Sequence, residues 1–123
     1  MDIENFKDFS IDLTEAIQQA AEETAKELAR DIAAGAPVAD HGSNIGAYKS
    51  GWTSRPEPDG ATVYNNSIHV SLSSLIEYGH RGNRNNHHHY IPPHPHIRPA
   101  YESAKDAYRQ KLIDLINDAT RNM

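Results

Sequence analysis

Apolar residues recur at helical spacing at the two ends of the chain and alternate with polar ones in its middle. Leu13, Ile17, Ala21, Leu28 and Ile32 stand four or seven residues apart, with Ala20 and Ala25 beside them. Glu15, Glu22, Glu23, Lys26 and Arg30 occupy the opposite side. This is the pattern of an amphipathic helix. Asp12 with Glu15 three residues later reads as a capping box at its start, and Gly35 and Pro37 read as its stop. A helix of that length spans about 33 Å. Its alanine-rich stripe permits close approach by another helix or by a neighbouring subunit.

Pro37 to Gly46 is rich in Gly, Asp, Asn and Ser and reads as a loop. Ala47 to Gly79 reads as β-rich. Tyr48 to Ser54, which includes Trp52, is a candidate strand, and Pro56 to Gly60 has turn chemistry. Ala61 to Asn65 is a second strand. Ile68, Val70 and Leu72 alternate with His69, Ser71 and Ser73, the period-two pattern of a third. Leu75, Ile76 and Tyr78 suggest a short helical turn. His80 to Arg98 is a long loop rich in His, Pro and Asn. Pro99 suits the first turn of a last helix, in which Tyr101, Ala104, Tyr108, Leu112, Leu115 and Ala119 recur at spacings of three and four.

The expected class is α+β. A long N-terminal helix is followed by a three- to four-stranded, mainly antiparallel sheet, the long 80–98 loop, and a C-terminal helix packed on the sheet. At 123 residues the chain suits one domain over 1–123.

Composition narrows the function. Only 37% of residues are hydrophobic, so the core is thin and partners can add to stability. No run approaches a membrane span, and the acidic stretch Met1 to Ser10 has no apolar h-region, so neither a membrane anchor nor a signal peptide is expected. The absence of cysteine removes disulfides, thiolate zinc sites and cysteine nucleophiles. Charge is uneven. Residues 1–40 hold three Lys/Arg against ten Asp/Glu, whereas residues 41–98 hold five against three. A dedicated duplex binder would show a basic face, which this chain lacks.

Histidine gives the loudest chemical signal. His80, His87, His88, His89, His94 and His96 fall in one segment, and His94-Pro95-His96 can set two imidazoles on one side of an extended chain, as a metal pair requires. Against this, no Asp or Glu lies between Glu77 and Glu102 to complete a mixed ligand set. Ser71, Ser73, Ser74 and His69 supply pieces of a nucleophilic site without a Gly-x-Ser-x-Gly elbow, and read as solvent-facing strand residues. Glu57 and Asp59 read as solvated turn residues. No phosphate loop or dinucleotide fingerprint occurs. Trp52, Tyr48 and Tyr64 could stack on bases, but read first as core.

Three motifs, in order, carry a resemblance. They are Asn44 to Trp52, with Gly46, Tyr48, Lys49, Gly51 and Trp52; Thr62 to Asn66 followed by Leu72 to His80, with Glu77 and Gly79; and Pro95 to Glu102, with His96, Ile97, Pro99 and Ala100. Together they resemble the tail-completion, or head–tail connector, proteins of long-tailed bacteriophages, over nearly the whole chain. Ile45 stands where that family often has Thr, and the loop before Pro95 is richer in His and Asn than usual.

The resemblance implies an α+β structural subunit with no catalysis and no cofactor. It implies a homo-oligomeric ring at the neck or tail top that contacts a head connector or adaptor and a tail tube or terminator, with double-stranded DNA passing through without tight binding. In that role Tyr78, Gly79, His80, Arg84, His96 and Arg98 are the expected partner contacts. Gly79 would leave the sheet at positive φ, and Arg98 would pair with Glu77 or with a carboxylate of an adjacent subunit. The acidic first helix could line the channel. The alternatives are a histidine-rich metal-binding module or small metal-dependent enzyme, with His94 and His96 as ligands, and a small DNA-binding accessory protein.

Overall fold

The computed structural model describes residues 3–37, 46–67, 73–81 and 90–121. Helix α1 runs over Ile3–Gly35, about 50 Å of helix. It therefore starts well before Asp12, which is an interior residue and not a cap. No Gly or Pro interrupts the chain between Ile3 and Ala34, so the capping-box pattern at Asp12 has nothing to terminate. Gly35 ends the helix as expected.

Gly46, at φ 81°, opens a single helical turn, α2 (Ala47–Ser50), which Gly51 closes with an N–H bond to the Tyr48 carbonyl. The strand expected over Tyr48–Ser54 thus begins only at Trp52, because the left-handed Gly46 sets the chain into a turn and the turn carries Tyr48 inward. Strands β1 (Trp52–Glu57) and β2 (Gly60–Asn65) pair antiparallel, with Trp52 opposite Asn65 and Glu57 opposite Gly60. Pro58 and Asp59 make the turn, within the segment predicted for it. Pro56 sits inside β1, which is tolerated in a two-stranded ribbon because each strand keeps one free edge.

Helix α3 (Ser73–Tyr78) follows, and Gly79 leaves it at φ 80°. The expected strand at Ile68–Leu72 lies outside the described residues. Strands β3 (His80–Arg81) and β4 (Tyr90–Ile91) pair antiparallel with each other. In place of one sheet of three to four strands, the described residues form two separate two-stranded pairs. The second pair closes the base of the segment read as a structureless loop. Helix α4 (Arg98–Arg121) has Pro99 in its first turn.

The core is built on α1. Ala20, Ala25, Ala29, Ile32 and Ala36 are buried together with Tyr48. These small side chains bring the β1–β2 hairpin and α4 against the same helix. Leu13, Ile17, Ala21 and Leu28, the remaining members of the predicted stripe, keep some exposed surface. Gln18 fastens the hairpin: its Nε2 donates to the carbonyls of Glu57 (2.9 Å) and Gly60 (2.7 Å), on both sides of the turn. The C-terminal helix packs on α1 and not on the sheet. A groove floored by Ala21, Ala25 and Leu28 separates its Tyr101, Ala104 and Tyr108 from Gly60, Ala61 and Val63 of β2.

Candidate functional site

The densest polar arrangement lies where α3, α2 and the start of α4 meet. A helix begins with backbone N–H groups that no earlier turn can accept. Here the Glu77 carboxylate, projected inward from α3, takes three successive N–H groups where the chain enters α4. Its Oε1 accepts the N–H groups of His96 and Ile97, and its Oε2 that of Arg98, all at 2.9 Å. Negative charge at this end also complements the helix dipole. Burial pushes the Glu77 carboxyl up, but the three backbone N–H groups and the neighbouring His96 ring together outweigh it and hold the group below its ordinary value.

The pairing expected between Arg98 and Glu77 therefore exists, but through the Arg98 backbone; its side chain is exposed. The return path is pinned one step earlier as well. His94 donates its N–H to the Ile76 carbonyl at 2.7 Å, and its Nε2 lies 2.8 Å from the Gly35 carbonyl.

His96 completes the arrangement. Its ring has no exposed surface. Nδ1 lies 3.1 Å from Glu77 Oε1 and 3.0 Å from the His94 carbonyl, two acceptors that assign it a proton. Nε2 lies 2.6 Å from the Tyr48 hydroxyl, which is 3.2 Å from Ser73 Oγ. With the proton on Nδ1, Nε2 accepts from the Tyr48 hydroxyl, and the Ser73 hydroxyl supplies the proton of its own contact with Tyr48. Burial, the largest influence, pushes the Tyr48 hydroxyl up; the Glu77 charge adds to this and the Ser73 bond opposes it.

Trp52 packs edge-on against Tyr48 (5.8 Å between ring centres) and His96 (6.2 Å). Its Nε1 is buried without a partner in full hydrogen-bond geometry among the described residues, although its dipole acts on the Tyr48 hydroxyl. Beneath Tyr48, Asn65 Nδ2 donates to the Tyr48 carbonyl at 2.7 Å and Asn65 Oδ1 accepts the Ser67 N–H at 2.8 Å. Gly51 makes room for this. A Cβ there would overlap Asn65 Oδ1 and stand 3.0 Å from Ser67 Cβ.

Tyr78 and Arg98, two of the expected partner contacts, come together. Both are exposed and line one groove with Ser74, Ile97, Tyr101 and Glu102. Tyr78 is 66% exposed and Tyr101 51%, which gives the groove two aromatic edges. Gly79 adjoins it and His80 opens β3. Arg84 lies outside the described residues. His96 is buried, at 3% exposure, next in the chain to Ile97 of the groove.

The metal pair is not assembled. The His94 and His96 rings are 6.3 Å apart between centres, His94 Nε2 is taken by Gly35, and both His96 nitrogens face protein partners. Among the described residues no group of three His, Asp or Glu is placed to hold a metal ion. The aromatic platform is also divided: Tyr48 and Trp52 are internal, while Tyr64 lies under the Arg55 guanidinium at 5.1 Å on the hairpin. Glu57, expected to be solvated, accepts from Arg55 (2.8 Å) and Thr62 (3.1 Å), and the Arg55 bond foremost lowers its carboxyl.

Sequence reasoning placed Tyr48 in the core but missed its bonds to His96 and Ser73. The available signal was that Tyr48, Glu77 and His96 each fall in one of the three motifs. Their buried polar atoms are spent on one another, so the arrangement fastens α3 to α4 and leaves the adjoining groove as the accessible surface.

Comparison with known proteins gives one family. Residues 3–79 match the family described as "Bacteriophage HK97-gp10, putative tail-component". The matched stretch takes in α1, α2, the β1–β2 hairpin and α3 with Glu77, and stops short of His96. No curated protein and no solved structure matches the chain.

Proposed function

The chain belongs to the HK97-gp10-like family of bacteriophage tail components, and from that premise we propose that it acts in head–tail joining or tail completion, as one subunit of a ring at the neck or tail top through which DNA passes. A tail component is a structural protein of the virion, and no helix among the described residues is long and apolar enough to cross a membrane. The family match carries the reading.

The surface supports it. Among the described residues the buried apolar core is four alanines with Ile32 and Tyr48, while Tyr78, Tyr101, Ile113 and Ile116 are exposed. A chain that leaves aromatic and branched residues outside a thin alanine core is suited to burying them against partners. The Tyr78–Arg98–Tyr101 groove has the aromatic and arginine content of a binding centre, and we assign it to contact with a head connector or adaptor, or with a tail tube or terminator. Glu15, Glu23, Glu27 and Asp31 of α1 are exposed; on a channel wall they would repel passing DNA and keep it from sticking.

Mass measured by light scattering across a concentration series, with chelator present, tests the reading. A discrete multi-subunit species insensitive to chelator is expected. A monomer that also fails to bind purified connector and tail-tube proteins would overturn it. Salt-dependent duplex binding by the isolated chain would favour the DNA-binding alternative instead.

A further inference from the structure

The β1–β2 ribbon keeps one edge open to a further strand. Asn66 donates its N–H to the Gly51 carbonyl at 2.9 Å, which fixes the phase of the ladder. Counted from that bond, the pairs that exchange hydrogen bonds are Thr53 with Tyr64, Arg55 with Thr62 and Glu57 with Gly60. The backbone groups of Ser54 and Pro56 therefore point away from β2, and those of Ala61 and Val63 point away from β1. The two edges are not equivalent. Pro56 has no N–H, so the outer edge of β1 lacks a donor where a new strand would need one. Its cross-strand neighbour Ala61, and Val63 after it, each keep a donor and an acceptor. Among the described residues no backbone bond engages these outward groups.

The space beside β2 suits a strand. β2 faces α4 across the groove floored by Ala21, Ala25 and Leu28, with a volume of about 300 Å³. A strand laid about 4.8 Å from β2 turns alternate side chains down onto this small apolar floor. Tyr101 lines this groove and also the groove of Tyr78 and Arg98, so one surface runs from the first into the second. The lips are charged. Lys105 on α4 stands across from Asp59 at the hairpin turn, and Arg98 and Glu102 flank the second groove. Glu77, the other acid there, is spent on the α4 backbone. A second copy offers no free strand among its described residues: β1 to β4 are paired, and the stretch 92–95 holds Pro92, Pro93 and Pro95, which have no N–H to donate.

We infer that a neighbouring virion protein adds a strand to β2 in this groove. The segment it fits is extended and apolar at alternate positions, with a carboxylate toward Lys105 and a cation toward Asp59. Main-chain bonds to Ala61 and Val63 supply affinity, and the alanine floor selects the inward side chains. This deepens the assignment of the Tyr78–Arg98–Tyr101 groove to a neck or tail partner and rests on that reading.

Amide hydrogen exchange resolved by residue tests it, on the full chain alone and with purified connector and tail-tube proteins added in turn. In the free chain Ala61 and Val63 are expected to exchange at least roughly tenfold faster than Thr62 and Tyr64, whose N–H groups face β1. Binding is expected to slow Ala61 and Val63 at least roughly tenfold and to leave Thr62 and Tyr64 little changed. Ala61→Pro repeats on β2 what Pro56 does on β1, and should weaken binding at least roughly tenfold at an unchanged melting temperature. Slow exchange at Ala61 and Val63 in the free chain overturns the inference, because the same chain then already holds the edge. A partner that binds without slowing these two amides also overturns it, while the tail-assembly reading stands. If neither protein binds, strand addition is wrong, and the tail-assembly reading falls with it only when the chain also stays monomeric.

Discussion

Glu77 holds His96 twice: its Oε1 accepts the His96 backbone N–H at 2.9 Å and lies 3.1 Å from the same residue's Nδ1. A single carboxylate thus sets both the first turn of α4 and the tautomer of the ring beneath it. Replacing Glu77 with Ala leaves three backbone donors without their acceptor and the His96 Nδ1–H with the His94 carbonyl alone, at a cost of about 3 kcal/mol. Glu77→Gln keeps an acceptor but places an amide where two oxygens were needed, and should cost less. Urea denaturation of the two variants gives the order directly.

The same carboxylate sets the acid response. Its folded value lies below its ordinary 4.5. The stability it supplies is therefore complete above that value and is lost as pH falls through the lower folded one. Stability measured at descending pH should begin to drop below about pH 4.5, and the drop should be shallower in Glu77→Gln. Equal slopes in parent and variant would contradict this.

Tyr48 sets an alkaline counterpart. Its hydroxyl is raised above 10.0, so its contribution is whole below that pH and lost as pH rises through the folded value. Tyr48→Phe removes the bonds to His96 and Ser73 at a cost of about 1–2 kcal/mol near neutrality. It should also remove one late-ionising phenol from an absorbance titration.

Gly51→Ala should destabilise by about 1–3 kcal/mol. The added methyl displaces Asn65, which ties Tyr48 to Ser67. Asn65→Ala should cost a similar amount, and the double variant should cost less than the sum, since both break one contact. Additive losses in a double-mutant cycle would refute the shared mechanism.

Removing metal should change nothing in the folded unit. Thermal unfolding with and without a strong chelator is expected to coincide, because the nitrogens that would pair as ligands already face Gly35, Tyr48, Glu77 and His94. A chelator-dependent fall in melting temperature would restore the metal-binding alternative.

What the sequence made legible was local. The spacing of Tyr101 to Ala119 gave α4, and Pro56 to Gly60 gave the hairpin turn, because periodicity and turn chemistry act within a few residues. The start of α1 was misread because an Asp-x-x-Glu pattern also occurs inside helices. The turn at α2 was misread because its cause is the left-handed Gly46. The Glu77 arrangement was out of reach for a different reason. Two of its side chains meet across 48 residues, and three of its donors are backbone N–H groups, which carry no residue identity.

Glu77 gathers the exit from α3 and the approach to α4 at one carboxylate, so the chain from Gly79 to Pro95 leaves and rejoins the fold at one anchored base. Lengthening a segment between fixed ends costs little entropy. Insertions between β3 and β4 are therefore expected to leave α1, the hairpin and α4 in place, since the paired strands and the bonds of His94 to Ile76 and Gly35 hold both ends.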